Sequence, residues 1–164
     1  MFEKFGEFDS CEEINELAIN LSNEGDTDSI YALAQENGIP REIAEMFVAG
    51  DTPEICDAMT AAIGKIDVEC AALKPEEIMA DWVEYIKACC FGSDEMAQAV
   101  RRRGRSLEGC IAELLKWSFG HQKEVDKKIL TAAKVTAGRV TLGIPGMAQA
   151  KKIIRDYYMG GERK

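Results

Sequence analysis

The chain has 164 residues, 46% of them apolar, with only four prolines. That composition excludes global disorder and leaves room for one ordinary domain or two very small ones, and no apolar run approaches the ~20 residues of a membrane-spanning helix. The net charge of −9 conceals a division: residues 1–100 carry 23 acidic and 5 basic side chains, a net of −18, whereas residues 101–164 carry 6 and 15, a net of +9. Asymmetry of this kind speaks to association rather than to fold.

Met1 to Asp9 is charged and aromatic, unlike a secretory signal. The six cysteines, at 11, 56, 70, 89, 90 and 110, form no C-x-x-C pair and fit neither a zinc site nor a disulfide framework. Reduced thiols in a cytoplasmic protein are the expectation. Cys89 and Cys90 are adjacent and read more simply as helix-face thiols than as a redox pair.

Helix punctuation is legible along the chain. Ser10 and Glu13 form an S-x-x-E capping box, followed by Ile14, Leu17, Ala18 and Leu21 at helical spacing. Asp26 or Thr27 can cap a second helix with Ile30, Leu33 and Ala34, stopped by Asn37-Gly38. Pro40 opens a third, with Ile43, Met46 and Phe47, ending near Gly50. Thr52-Pro53-Glu54 predicts the start of a fourth that carries Ile55, Met59, Ala62, Ile63 and Ile66 towards Leu73. Pro75-Glu76-Glu77 starts a fifth, with Ile78, Met79, Trp82, Val83, Ile86 and Cys89, ended by Gly92.

Ser93 starts a sixth helix that runs into Arg101-Arg102-Arg103 and stops at Gly104. Ser106 starts a seventh, with Leu107, Cys110, Ile111, Leu114 and Leu115. Asp126 caps an eighth bearing Ile129, Leu130 and Ala133, and Arg139–Leu142 reads as a short extended piece. Ile144-Pro145 leads into a last helix with Met147, Ile153, Ile154, Tyr157 and Tyr158, closed by Gly160-Gly161. The expected class is all-α: a compact bundle of about nine short helices. Its acidic region, 1–100, and basic region, 101–164, form either two helical subdomains or one continuous domain.

Catalytic signals are sparse. His121 is the only histidine, and no phosphate loop, H-E-x-x-H or G-x-S-x-G motif occurs. Pairs such as Glu12-Glu13 and Glu76-Glu77 sit in first helical turns, where the helix dipole accounts for them. The expectation is therefore a binding protein rather than an enzyme, with no metal and no cofactor.

Two features carry the binding expectation. Ile30 to Gly50 resembles the helix-turn-helix of phage-repressor-like DNA-binding proteins, yet its second helix offers Arg41 against Glu42 and Glu45, which phosphate would repel. The acidic residues Glu12, Glu13, Glu16, Asp26, Asp28, Glu42 and Glu45 read instead as a partner-binding face. The cluster Arg101, Arg102, Arg103 and Arg105, extended by Lys127 and Lys128, reads as a contact for nucleic acid or an acidic protein. A solvated face at a helix end, or docking on the acidic half, would explain the arginines equally.

Ser106-Leu107-Glu108-Gly109-Cys110, Leu114-Leu115, Gly143-Ile144-Pro145 and Lys151-Lys152-Ile153-Ile154-Arg155-Asp156-Tyr157-Tyr158 resemble the C-terminal module of small accessory proteins. Phages, plasmids and conjugative elements of gut Firmicutes carry these proteins, which include PcfK-like conjugation proteins; some similar small proteins are anti-CRISPR inhibitors of type II effector nucleases. The resemblance spans residues 106–158 and supplies no catalytic residues. It implies a mobile-element protein that acts by binding. The charge pattern suits inhibition of an RNA-guided nuclease, an acidic face competing for its basic groove while a basic patch touches guide RNA or DNA. The alternative is a regulator or conjugation accessory protein that contacts DNA or RNA directly. A third reading is a structural subunit, or a self-associating dimer, that fills a larger assembly.

Overall fold

The computed structural model describes residues 1–160, so Gly161 of the expected closing pair lies outside the described residues. Among the described residues there are nine helices and one pair of two-residue strands, an all-α fold. In chain order the elements are α1 (Cys11–Asn23), α2 (Thr27–Glu36), α3 (Arg41–Ala49), α4 (Ala58–Leu73), α5 (Ile78–Gly92), α6 (Asp94–Arg101), α7 (Leu107–Gly120), β1 (Lys123–Glu124), α8 (Lys127–Ala132), β2 (Thr141–Leu142) and α9 (Met147–Met159).

Local chemistry sets most helix starts. Ser10, Asp26, Ser93, Ser106 and Asp126 each cap the helix that follows by accepting a backbone N–H two or three residues on. Glu13 also reaches back to the Asp9 N–H at 2.7 Å.

Three expected boundaries are displaced, each by a visible cause. The helix expected from Thr52-Pro53 begins only at Ala58, capped by Asp57. Asn15, from α1, holds the intervening chain extended: its carbonyl oxygen accepts from the Ile55 and Cys56 N–H groups at 3.0 and 3.1 Å, and its amide donates to the Cys56 carbonyl at 2.8 Å. The fifth helix begins at Ile78 rather than at Pro75, because Lys74 and Glu77 both adopt positive φ (48° and 52°) across the turn between α4 and α5. The sixth ends at Arg101 rather than running through Arg103, since Arg102 turns extended (ψ 139°) and Gly104 takes a left-handed conformation.

Two hydrophobic clusters meet along α4. The first gathers Ile14, Leu33, Phe47 and Ile55 from α1–α3 and the segment before α4, and ends on Ala61. The second starts at the next residue, Ala62, and takes in Ile66, Trp82, Ile86, Val100, Leu107, Leu114, Ile154 and Tyr158 from α4–α7 and α9. The change of charge at residue 100 falls inside this second cluster, between Val100 and Arg101.

Candidate interaction surfaces

Two members of the arginine cluster, Arg101 and Arg103, lie against the N-terminal segment. Arg101 is buried, 1% exposed, and donates to Asn37 Oδ1 at 2.8 Å with the Phe2 ring 5.5 Å from its guanidinium carbon. Arg103 donates through its backbone N–H to Asp9 at 3.0 Å and through Nε to the Glu7 carbonyl at 3.0 Å, with Glu13 3.6 Å from its guanidinium. Arg105 donates to the Gly160 carbonyl at 2.8 Å and lies over the Tyr157 ring. Arg102 turns its carbonyl inward. Arg101 and Arg103 thus dock on the acidic half, which leaves Arg101 no surface to offer a partner, whereas Arg105 holds to α9 and the Arg102 side chain is exposed.

The segment winds around a lysine that the sequence does not advertise. Lys65, 1% exposed on α4, donates to Glu7 at 2.7 Å and to the carbonyls of Arg105, Arg102 and Arg101 at 2.5, 2.9 and 3.5 Å. One helical turn on, buried Glu69 accepts the Leu107 N–H at 2.7 Å, at the first turn of α7. Burial pulls the Lys65 ammonium below the ordinary lysine range against the opposing attraction of Glu7, and burial raises the Glu69 carboxyl, opposed by the Leu107 N–H. The sequence signal is that Lys65 and Glu69 interrupt the apolar stripe of Ala62 and Ile66 at helical spacing.

The acidic residues take the opposite disposition. Glu12, Glu13, Glu16, Asp26, Asp28, Glu42 and Glu45 are all exposed on α1–α3 or their caps. Asp26 caps α2, Glu45 pairs with Arg41 at 2.9 Å and Glu13 faces Arg103. No ion pair engages Glu12, Glu16, Asp28 or Glu42 among the described residues. The frame beneath them is tight: at the α2–α3 turn, Gly38 (φ 65°) packs backbone to backbone on Gly64 of α4, and a methyl group on either would overlap the other's main chain. This contact fixes the helix-turn-helix-like hairpin to the body at its turn.

Lys127 and Lys128 open α8, which contributes no buried residue. The apolar face expected for this helix is open, with Ile129 60% exposed. His121 ends α7, its ring stacked on Trp117 at a centroid distance of 4.1 Å and its Nδ1 2.8 Å from the Trp117 carbonyl. Among the described residues no group of three or more His, Cys, Asp or Glu side chains is arranged to hold a metal ion. A groove between α5, α6 and α9 is lined by Tyr85, Cys89, Met96, Arg155 and Met159. No helix of the described residues is long and apolar enough to cross a membrane. No protein-family model, curated protein or solved structure matches the chain.

Proposed function

We propose that this chain is a non-enzymatic binding protein of a mobile element that inhibits or modulates a nucleic-acid-processing complex, most concretely a type II CRISPR effector nuclease. The observation that carries the reading is the exposure of Glu12 and Glu16 on α1, Asp28 on α2 and Glu42 on α3, without ion pairs among the described residues. Carboxylates so held can occupy a groove built to take phosphates, because lysines and arginines that neutralise a nucleic-acid backbone attract any matching array of negative charge. The resemblance over residues 106–158 supplies the class of partner; the acidic face supplies the means.

Cleavage of target DNA by a panel of type II nucleases, with and without the chain, tests this reading. Inhibition should weaken in the Glu12→Lys/Glu16→Lys/Glu42→Lys variant and fade as salt rises. No binding and no inhibition across the panel would sink it. Direct contact with DNA or RNA is the alternative, and it is better sought through Lys127, Lys128 and the exposed Arg102 than through Arg101, which is buried. A hairpin-borne DNA reader is disfavoured by Arg41, the basic residue of α3, being paired with Glu45.

A further inference from the structure

Between the last turn of α7 and the first of α9 the chain makes an excursion that serves neither core. The hydrophobic clusters take no residue between Leu114 and Ala150. Residues 121–146 instead fold on themselves: β1 pairs antiparallel with β2, Lys123 opposite Leu142, and the Val125 N–H donates to the Val140 carbonyl at 2.9 Å. Its base is built rather than loose. Gln122 donates to the Ser118 carbonyl at 2.8 Å and accepts from the Thr141 hydroxyl at 2.9 Å, and buried Gly143 packs so closely on Gln122 and Ser118 that no side chain would fit there.

This arm presents aliphatic surface among cations. Ile129, Leu142 and Ile144 are 60–62% exposed and Val135 45%. Around them stand the exposed Lys123, Lys127, Lys128, Lys134 and Arg139, of which Arg139 alone has an acidic neighbour, Glu124 at 3.7 Å, among the described residues. Ordering each residue of such an arm costs roughly 1–2 kcal/mol of backbone entropy. Aliphatic groups left in water return none of it, so the arm is shaped for an apolar contact ringed by acids.

The same chain exposes an apolar residue beside acids on both α1 and α3. On α1, Glu12, Glu16 and Ile19 follow at spacings of four and three; on α3, Glu45 and Met46 stand three and four residues after Glu42; all six are exposed. We propose that the arm docks on the acidic α1–α3 face of a second copy of this chain. Lys127 and Lys128 lie against its unpaired carboxylates, and Ile129 and Leu142 cover Ile19 and Met46. Reciprocal exchange about a two-fold axis closes the assembly at two copies. Nucleic acid is the less suitable occupant, because phosphates and sugars would leave four branched aliphatic side chains uncovered. The dimer covers the carboxylates assigned above to the nuclease groove, so partner and dimer exclude each other; this consequence, unlike the association itself, rests on that reading.

Sedimentation velocity of the full chain over a range of concentrations, at low and high salt, tests the proposal by charge exchange. Lys127→Glu/Lys128→Glu makes arm and face both acidic, and Glu12→Lys/Glu16→Lys/Glu42→Lys makes both basic. Each variant alone should dimerise at least about tenfold more weakly than the parent, while an equimolar mixture of the two should regain association, every contact again joining opposite charges. Ile129→Ser/Leu142→Ser should weaken association without restoring it in any mixture. Circular dichroism confirms that each variant is folded; these positions are exposed, and acids in the first turn of α8 favour its dipole. A parent that stays monomeric throughout, variants that associate like the parent, or a mixture that stays monomeric would each overturn the proposal. So would a monomeric parent whose arm binds a DNA duplex in fluorescence anisotropy, with loss of binding in Lys127→Glu/Lys128→Glu. Nuclease inhibition plays no part in these readouts, so failure here and failure of the functional reading are separable.

Discussion

The Lys65 ammonium donates to the Glu7 carboxylate at 2.7 Å, a side chain 1% exposed meeting one 28% exposed. Fifty-eight residues apart, they join α4 to the segment that precedes α1. With three carbonyls from 101–105 completing the shell, one buried cation gathers the N-terminal segment, the end of α6 and the entry to α7. A buried charge of this kind is retained only while its acceptors hold it, and removing one side leaves the other unpaired in a poorly polar site. Lys65→Met should therefore lower the unfolding free energy by about 3–5 kcal/mol in urea titration. Glu7→Gln keeps an acceptor at the same place and should cost less than half as much. Equal losses in the two variants would contradict a role for Lys65 as the hub.

Glu69 gives the pH dependence. Burial raises its carboxyl above the ordinary glutamate value of 4.5. Between 4.5 and the raised value the folded state binds more protons than the unfolded one, so this residue's contribution to stability is present at low pH and is lost as pH rises through that window. Glu69→Gln keeps an oxygen for the Leu107 N–H and removes the charge. The stability of the parent minus that of Glu69→Gln, followed from acid to neutral pH, should fall through the window and then level off. A difference that rises with pH would show that Lys65 outweighs the cost of burial.

What the sequence reveals here is local, and what it hides is not. Ser10, Asp26, Ser93, Ser106 and Asp126 act on N–H groups two or three residues away, so their caps are readable from spacing alone. Thr52-Pro53 carries an equally good start signal, but Asn15, about 40 residues away, takes the backbone groups that a helix would have used. The arginine run shows the same limit. Charge density marks it, yet only the fold reveals that Arg101 is enclosed by Asn37 and Phe2 while Lys127 and Lys128 stand free of the core. Replacing Arg101, Arg102, Arg103 and Arg105 together should thus lower thermal stability before it reports on any nucleic acid. The single change Arg101→Ala should account for most of that loss, through an orphaned Asn37 and an unfilled volume.

Gly38 and Gly64 offer a test of whether the α2–α3 hairpin is a fixed part of the body. A methyl at Gly64 meets the Asn37 and Gly38 main chain, and at Gly38 it meets Gly64 in a conformation, φ 65°, that side chains disfavour. Gly64→Ala should cost about 1–3 kcal/mol as an overpacked contact, with Gly38→Ala costing more, and both should loosen amide-exchange protection in α2 and α3. Gly25→Ala, also at positive φ but with open space around it, separates conformational strain from contact. If Gly64→Ala were no worse than Gly25→Ala, the hairpin would be free to move from α4.

The six thiols should divide by reactivity in a way that bears on the Cys89-Cys90 pair. Burial pushes Cys56, Cys90 and Cys110 up to about 12 and Cys11 to about 11. At pH 8 a thiol at 12 is ionised to roughly one part in 10⁴, and thiolate is the reacting species. Cys89 and Cys70 are half-buried, Cys89 on the wall of the α5–α6–α9 groove. Alkylation of the native chain at pH 8, read by peptide mass, should label Cys89 first and Cys70 more slowly, burial raising the Cys70 thiol as well. Cys11, Cys56, Cys90 and Cys110 should react only on unfolding, so that their labelling rate in urea follows the unfolding curve. Under mild oxidation Cys89 should then form adducts with external thiols rather than a bond to Cys90, whose side chain is 1% exposed inside the second core. Native labelling of Cys90 at the rate of Cys89 would require α5 to open at its C-terminal end, and with it the groove that Cys89 lines.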